Sequence, residues 1–180
     1  KELGQFDEAV KNYEKAIAIK PDFADAHYNL GITFQGLGQL EAAVESYVAA
    51  LDIKSDYAEA FNNLGVVLRE LGQLETAVKS YEKVLEIKPD FAEAHNNLGV
   101  TLYELGQLDA ALKSYEQAVA FKPDYAEARN NLGLVATDLN LPEEAIKHFQ
   151  KAVAIKPDYA EAHNNLGALL RDLGQTDDAI

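Results

Sequence analysis

The residues best suited to chemistry in this sequence are asparagines that recur every 34 residues. They are Asn29, Asn63, Asn97, Asn131 and Asn165, which we call the Asn ladder. A carboxamide both donates and accepts hydrogen bonds, so it can bond the N–H and C=O of an extended peptide backbone whatever its side chains. The alternative is that each amide bonds local backbone. The ladder is therefore a candidate site for peptide binding.

Two further sets of residues recur at the same 34-residue interval, and we call each such set a column. Both columns lie on the same side of a helix as the ladder. The aliphatic column, three residues after the ladder, is Ile32, Val66, Val100, Leu134 and Ala168. It is interpreted either as an apolar contact surface or as packing against the next repeat. The variable column changes most between repeats and comprises Gln35, Arg69, Tyr103, Thr137 and Arg171. It is where side-chain specificity could be encoded, unless it is unselected surface.

Acidic residues follow these columns at Glu70, Glu104, Asp138 and Asp172, which we call the rim acids. If they act, they favour a neutral or basic peptide; otherwise they are solvated surface. The net charge of −14 disfavours nucleic acid and anionic membrane surfaces, because phosphate binding needs clustered Lys and Arg. No apolar run approaches the roughly 18 residues of a membrane span.

Catalytic and cofactor chemistry finds no support in the sequence. His27, His95 and His163 lie 68 residues apart, which does not suit a metal site. Ser46, Ser80 and Ser114 have no histidine within a helical turn, and no Gly-rich phosphate loop occurs. Cysteine is absent, which excludes disulfides and thiolate ligands. We therefore expect neither an enzyme nor a cofactor-binding protein.

The elements that position these columns are pairs of helices. Apolar residues at helical spacing predict helices over 58–71 and 74–87 in one repeat. Glycine, or Asn140 in one repeat, is predicted to end the first helix in a left-handed conformation. These residues are Gly4, Gly38, Gly72, Gly106, Asn140 and Gly174. An Asp followed three residues later by an acid, as in Asp56 and Glu59, predicts a capping box at the start of each first helix.

Small residues recur where helices must touch. Mid-helix glycine costs about 1 kcal/mol relative to alanine, so its repetition predicts a close helix contact. The small residues are Gly31, Gly65, Gly99, Gly133 and Gly167 in the first helices, and Ala9, Ala43, Ala77, Ala111, Ala145 and Ala179 in the second. Aromatic rings are predicted to fill the space between repeats, at Tyr13, Tyr47, Tyr81, Tyr115 and Phe149.

Together the Asn-Leu-Gly, Ala, Tyr/Phe, Ala and Pro columns resemble the tetratricopeptide repeat. The resemblance implies an all-α, right-handed superhelical solenoid of antiparallel helix pairs, extending over residues 1–180. Full repeats would span 24–57, 58–91, 92–125 and 126–159, with partial repeats at 1–23 and at 160–180, the latter including the start of a second helix. The family's usual Trp is replaced by His27, Phe61, His95, Arg129 and His163.

The family resemblance implies a scaffold whose concave groove holds a protein or peptide. The Asn ladder is similar to that in the superhelical repeat domain of the O-linked N-acetylglucosamine transferases, where such residues grip peptide main chain. A clamp for acidic carboxy termini is not expected, because acids, Asn and Tyr28 occupy the matching sites. The alternative is head-to-tail self-association through open solenoid ends. Since the sequence contains no Met, we expect it to be a piece of a longer protein.

Overall fold

The computed structural model describes residues 2–174, with side chains from residue 5 onward, and this part of the chain contains helices and turns but no strand. The helices are α1 (Glu2–Ile19), α2 (Ala24–Gly36), α3 (Leu40–Ile53), α4 (Ala58–Glu70), α5 (Leu74–Ile87), α6 (Ala92–Glu104), α7 (Leu108–Phe121), α8 (Ala126–Asp138), α9 (Pro142–Ile155) and α10 (Ala160–Asp172). They divide after Pro89 into a first half, α1–α5, and a second half, α6–α10. The all-α class and the pairing of consecutive helices are as predicted.

Each first helix ends at a residue in the left-handed conformation, as predicted for all repeats but one. Gly72 has φ +74° and Gly106 has φ +73°, while Asn140 takes the same role with φ +56°. The prediction for Gly4 is wrong, because α1 runs from Glu2 through this residue. A helical glycine is tolerated at a cost of about 1 kcal/mol where no turn is required.

The predicted capping box is also wrong. The residue before each first helix is aromatic, as at Tyr57 before α4, and no cap side chain bonds the helix. Asp56 instead lies in the preceding turn, and Glu59 is the second helical residue. Among the open backbone N–H groups, that of Ala60 donates to the carbonyl of Tyr57 at 3.0 Å, and that of Glu59 donates to the carboxylate of the same residue. Glu59 still lies where the helix dipole favours an acid.

The mid-helix glycines confirm the predicted close approach between paired helices. A Cβ on Gly65 would lie 2.7 Å from the ring of Tyr81, and one on Gly99 would lie 2.6 Å from that of Tyr115. Gly133 meets Phe149 in the same way. These rings are almost completely buried. They lie against the glycine of their own pair and also reach the next repeat, as predicted, since Leu166 and Leu169 of α10 pack against the cluster of Phe149.

Small residues of the second helices complete the same contact. Ala43, Ala77, Ala111 and Ala145 are fully buried. In the fourth repeat Ala145 and Phe149 form a cluster with Ala136, against which Leu134, Leu166 and Leu169 pack. Ala179 and the start of a second helix after Gly174 lie outside the described residues.

Candidate peptide-binding face

The structure holds the Asn ladder half-buried on the first helices, rather than fully exposed. In the second half, the amide of Asn131 donates to Asn96 Oδ1 at 3.1 Å, and that of Asn165 donates to Asn130 Oδ1 at 3.0 Å. Each bond joins neighbouring first helices, from α8 to α6 and from α10 to α8. One amide N–H of Asn131 and one of Asn165 are thus used within the protein, on a side chain of the preceding repeat rather than on local backbone.

The residues that accept these bonds lie outside the columns that the sequence predicts as binding residues. Asn96 is 7% exposed and Asn130 is fully buried. In the first half the corresponding place is held by Tyr28, whose hydroxyl accepts from the amide of Asn63 at 3.2 Å. The signal in the sequence was the doubled Asn-Asn, since a second amide beside the ladder is a ready partner for the next repeat.

These bonds fix the orientation of the ladder side chains. A carboxamide has two N–H donors and one carbonyl oxygen. When one N–H is held by the neighbouring helix, rotation of the amide is restricted and the remaining donor and acceptor keep a defined direction. Preorganised groups of this kind lose less entropy when a ligand binds.

The aliphatic column lies beside the ladder and is only partly covered. Val66, Val100, Leu134 and Ala168 are half-buried, while Ile32 is 41% exposed. Leu134 also packs against the buried cluster of the fourth repeat. Leu134 thus packs on one side, and together with Val100 and Ala168 it also lines the pockets of the second half, while the role of the column as a contact surface stays a prediction.

Two successive pockets of the second half bring the predicted columns together. The first has a volume of about 210 Å³ and is lined by Val100, Tyr103, Glu104, Tyr115, Asn131 and Leu134. The second has a volume of about 160 Å³ and is lined by Leu134, Thr137, Phe149, Asn165, Ala168, Leu169 and Asp172. Each combines a ladder amide, aliphatic residues and an acid over a buried ring, and Leu134 is common to both.

The polar contacts of the variable column differ between repeats. Gln35 accepts from the hydroxyl of Tyr47 at 2.8 Å, and Tyr103 donates to Asp138 at 2.5 Å. The Asp138 bond, with burial, raises the pKa of Tyr103. Arg171 pairs with the neighbouring Asp172 at 2.8 Å and lies outside the pocket lining, while Arg69 is half-buried on α4. These differences make the edge of the face distinct from repeat to repeat.

Acids at the starts of the first helices have local partners. Glu59 is paired with Lys88, and the hydrogen bond from Lys88 lowers the pKa of that carboxyl. Glu127 lies 3.8 Å from Lys156. The rim acids Glu70, Glu104, Asp138 and Asp172 are exposed, and two of them carry the bonds from Tyr103 and Arg171 described above.

The candidate nucleophiles and histidines have structural contacts. Ser46, Ser80 and Ser114 donate to the backbone carbonyl four residues earlier, at 2.8 to 3.1 Å. His27 and His163 bond the carbonyls of Pro21 and Pro157 at 3.0 Å. Within the described residues no group of three or more His, Asp or Glu is arranged to hold a metal ion. None of the described helices is long and apolar enough to cross a membrane.

The fourth repeat is an exception on its packed side. His148 replaces the serine of the other repeats, and burial together with the positive charge of Arg129 lowers the pKa of His148 to about 4. Its Nδ1 and the Nε of Arg129 are buried without a hydrogen-bond partner. Its Nε2 lies 3.9 Å from Glu144.

Solved structures with the same architecture come from several proteins. MamA has a TM-score of 0.82 at 26% identity, with 89% of this chain and 94% of that chain covered. YrrB, described as a TPR protein with an unusual peptide-binding site, has a TM-score of 0.76 at 26% identity over 91% and 84%. PilF of Pseudomonas aeruginosa has a TM-score of 0.80 at 26% identity over 87% and 71%. No curated protein matches the sequence.

Models of the repeat family match along the sequence. A TPR repeat model matches residues 1–38, 36–68 and 65–106, and two tetratricopeptide repeat models match residues 96–160 and 148–180. The matches include both the columns that build the helix pairs and those that line the pockets. The chain therefore belongs to the tetratricopeptide repeat family.

Proposed function

We propose that this protein is a binding scaffold that holds an extended peptide segment of a partner along the ladder, aliphatic and variable columns. The observation that carries the proposal is the pair of pockets in the second half. Each places the amide of Asn131 or Asn165 beside an apolar wall. An amide can bond peptide main chain while the wall takes a side chain, and this combination is typical of peptide sites.

The bonds between neighbouring first helices support this role. Asn131 and Asn165 each donate one N–H to the first helix of the preceding repeat and retain a second N–H and a carbonyl oxygen. An extended peptide offers unpaired N–H and C=O groups at regular intervals, whereas a helical ligand has already paired its own. The ladder therefore favours an extended ligand.

The similarity to YrrB, whose description names a peptide-binding site, supports the same class of function. The serine hydroxyls, which are bonded to their own helices, favour binding over catalysis. The rim acids favour neutral or basic segments of the partner.

The test is selection followed by calorimetry. Short linear peptides from a display library are selected on the whole chain, and their affinity is compared with that for the triple variant Asn63→Ala, Asn97→Ala, Asn131→Ala. Each lost hydrogen bond is expected to weaken binding by about 0.5–1.5 kcal/mol. Circular dichroism must show that the variant remains folded.

A matched control replaces three exposed residues of the second helices at the same step, Glu82→Ala, Glu116→Ala and Gln150→Ala. This variant should bind as the parent does. Equal affinity of the ladder variant and the parent would contradict the proposal. Concentration-dependent growth in size-exclusion chromatography, with no peptide selected, would favour self-association instead.

A further inference from the structure

The two pockets of the second half have the size of single side chains. Their volumes are about 210 and 160 Å³. An apolar cavity of about 150 Å³ holds one benzene molecule, so each pocket suits one medium-sized apolar side chain such as Leu. Tyr115 lies against the first pocket and Phe149 against the second, which gives each an aromatic wall.

The spacing of the pockets follows from the repeat. They share Leu134, and equivalent residues of neighbouring first helices line them: Val100 of α6, Leu134 of α8 and Ala168 of α10. Helices α6 and α8 contact each other directly, as do α8 and α10. Packed helices lie about 8–10 Å apart, so the pockets recur at about that distance.

The conformation of the ligand determines which of its side chains match this spacing. In polyproline II, side chains point the same way every third residue, or about every 9 Å. In a β-strand they do so every second residue, or about every 6.6 Å, and the next such position is about 13 Å away. Only the polyproline II repeat matches neighbouring pockets. A helix also brings two side chains about 10.5 Å apart at seven residues, but its paired backbone offers nothing to the ladder.

The charges at the two pockets specify what flanks the apolar residues. Glu104 lines the first pocket and Asp172 the second, while Asp138 lies beside Tyr103. Arg171 is paired with Asp172, so one of these three acids has a partner of opposite charge. The surroundings therefore remain acidic, which complements Lys or Arg in a ligand.

We propose, on the basis of the proposed peptide-binding function, that the second half selects a polyproline II segment with apolar side chains three residues apart and a basic residue beside them. Val100, Leu134 and Ala168 determine the register by setting the walls of the pockets. The ladder amides of Asn131 and Asn165 bond the main chain of the same segment. Polyproline II has no internal hydrogen bonds, so its backbone groups are available to them.

The test uses synthetic fluorescein-labelled peptides that differ in the spacing of their two leucines. Lys-Leu-Pro-Pro-Leu-Lys places leucines three residues apart, Lys-Leu-Pro-Leu-Pro-Lys two apart, and Lys-Leu-Pro-Pro-Pro-Leu-Lys four apart. Fluorescence anisotropy is measured on the whole chain. The first peptide should bind about tenfold more tightly than either other, because only it seats both leucines.

A variant tests whether the second pocket sets the register. Ala168→Leu fills this pocket, so the three peptides should bind with equal, weaker affinity. Glu116→Ala, on the exposed side of α7, should leave the tenfold preference unchanged. Circular dichroism and the melting temperature establish that Ala168→Leu is folded. If it does not fold, Ala168→Val provides a smaller filling of the same pocket.

The outcomes separate this inference from the proposed function. Equal binding of all three registers, or preference for two- or four-residue spacing, would overturn the register while leaving a peptide-binding face. Tighter binding of a helical peptide with leucines seven apart would overturn both the register and the extended conformation of the ligand. Failure of all probes while library peptides bind through the ladder would also overturn only the register. Failure of both probes and library would overturn both proposals.

Discussion

The interior of the helix pairs and the candidate peptide-binding face both repeat every 34 residues, but their contacts differ in how constant they are between repeats. Inside the pairs, Gly65 meets Tyr81 in the first half and Gly99 meets Tyr115 in the second, at almost the same distance. On the face, Asn63 is held by a tyrosine hydroxyl, whereas Asn131 is held by an amide. The tight packing of a ring against the helix requires glycine at that position, whereas the hydrogen bond requires only an acceptor at the right place.

The largest effect should come from breaking the steric contact. Gly99→Leu would place a side chain where a Cβ alone lies 2.6 Å from the ring of Tyr115. Overpacking of a tight core costs about 1–3 kcal/mol, and the size of leucine sets this change at or above the upper end. Chemical denaturation followed by circular dichroism measures the loss.

A compensating variant shows whether the ring is the cause. Gly99→Ala combined with Tyr115→Leu removes the clash and gains the helix propensity of alanine. It should recover part of the stability that Gly99→Ala alone loses. If Gly99→Leu unfolded at the parental denaturant concentration, the glycine column would not mark a close helix contact.

The fourth repeat allows a test of the packed interior by pH. The pKa of His148 is lowered to about 4 by burial and by Arg129, from an ordinary value of 6.5. The unfolded chain therefore binds more protons between these values, and stability falls as the pH drops from about 6.5 towards 4. The loss amounts to at most about 3–4 kcal/mol.

His148→Ser installs the residue found in the other repeats and should flatten this pH dependence. Urea denaturation at several pH values between 4 and 7 measures it, with His163→Gln, an exposed histidine on α10, as the control. An unchanged slope in His148→Ser would assign the pH dependence to other groups. Glu144, Lys147 and Lys151 also face His148, and their charges are the same in both variants.

The sequence predicts the helix pairs well because their causes are local or strictly repeated. Apolar spacing places α4 and α5 within a residue of their observed ends, and Gly72 ends the first helix because few residues adopt positive φ. The capping box fails because Tyr57, rather than Asp56, precedes the first helical residue. That shift of one residue depends on how the turn after α3 packs, which a local motif does not encode.

The sequence also predicts that the columns of the candidate site lie on one side of the first helices, and Val100, Tyr103, Asn131 and Leu134 do line one pocket. The residues that accept hydrogen bonds from the ladder amides are not predicted by the sequence. Whether Asn131 bonds a ligand, its own backbone or Asn96 depends on the offset between neighbouring first helices. This offset arises from the packing of whole repeats, and no motif within one repeat specifies it.

A smaller effect is expected at the polar contacts between repeats. A double-mutant cycle of Asn96→Ala and Asn131→Ala should give a coupling energy near 1 kcal/mol, typical of one hydrogen bond. The cycle of Tyr28→Phe and Asn63→Ala in the first half should give a similar value. Tyr28→Phe keeps the rings that contact Tyr47 and Tyr57, so the cycle isolates the hydroxyl.

Equal couplings would show that amide and phenol are interchangeable acceptors at this place. Coupling in one half alone would show that the two faces are built differently. Zero coupling in both would mean that these bonds do not hold the ladder side chains in a fixed orientation, so those side chains would not be preorganised for a ligand. Thermal or urea unfolding of the four variants of each cycle supplies the energies.

The smallest effect should come from the rim acids, where the face is most exposed. Glu104→Gln removes one charge from the first pocket and should weaken binding of Lys-Leu-Pro-Pro-Leu-Lys by about 0.2–1 kcal/mol. Binding by the parent should also weaken as salt rises, because exposed charges are screened beyond about 8 Å at 0.15 M. Glu116→Gln, on the exposed side of α7, should change neither the affinity nor its dependence on salt.

Fluorescence anisotropy at two salt concentrations shows whether the rim acids contribute to binding. A preference for peptides with Glu in place of Lys would refute the electrostatic contribution and leave the apolar pockets and the ladder as the only determinants of binding.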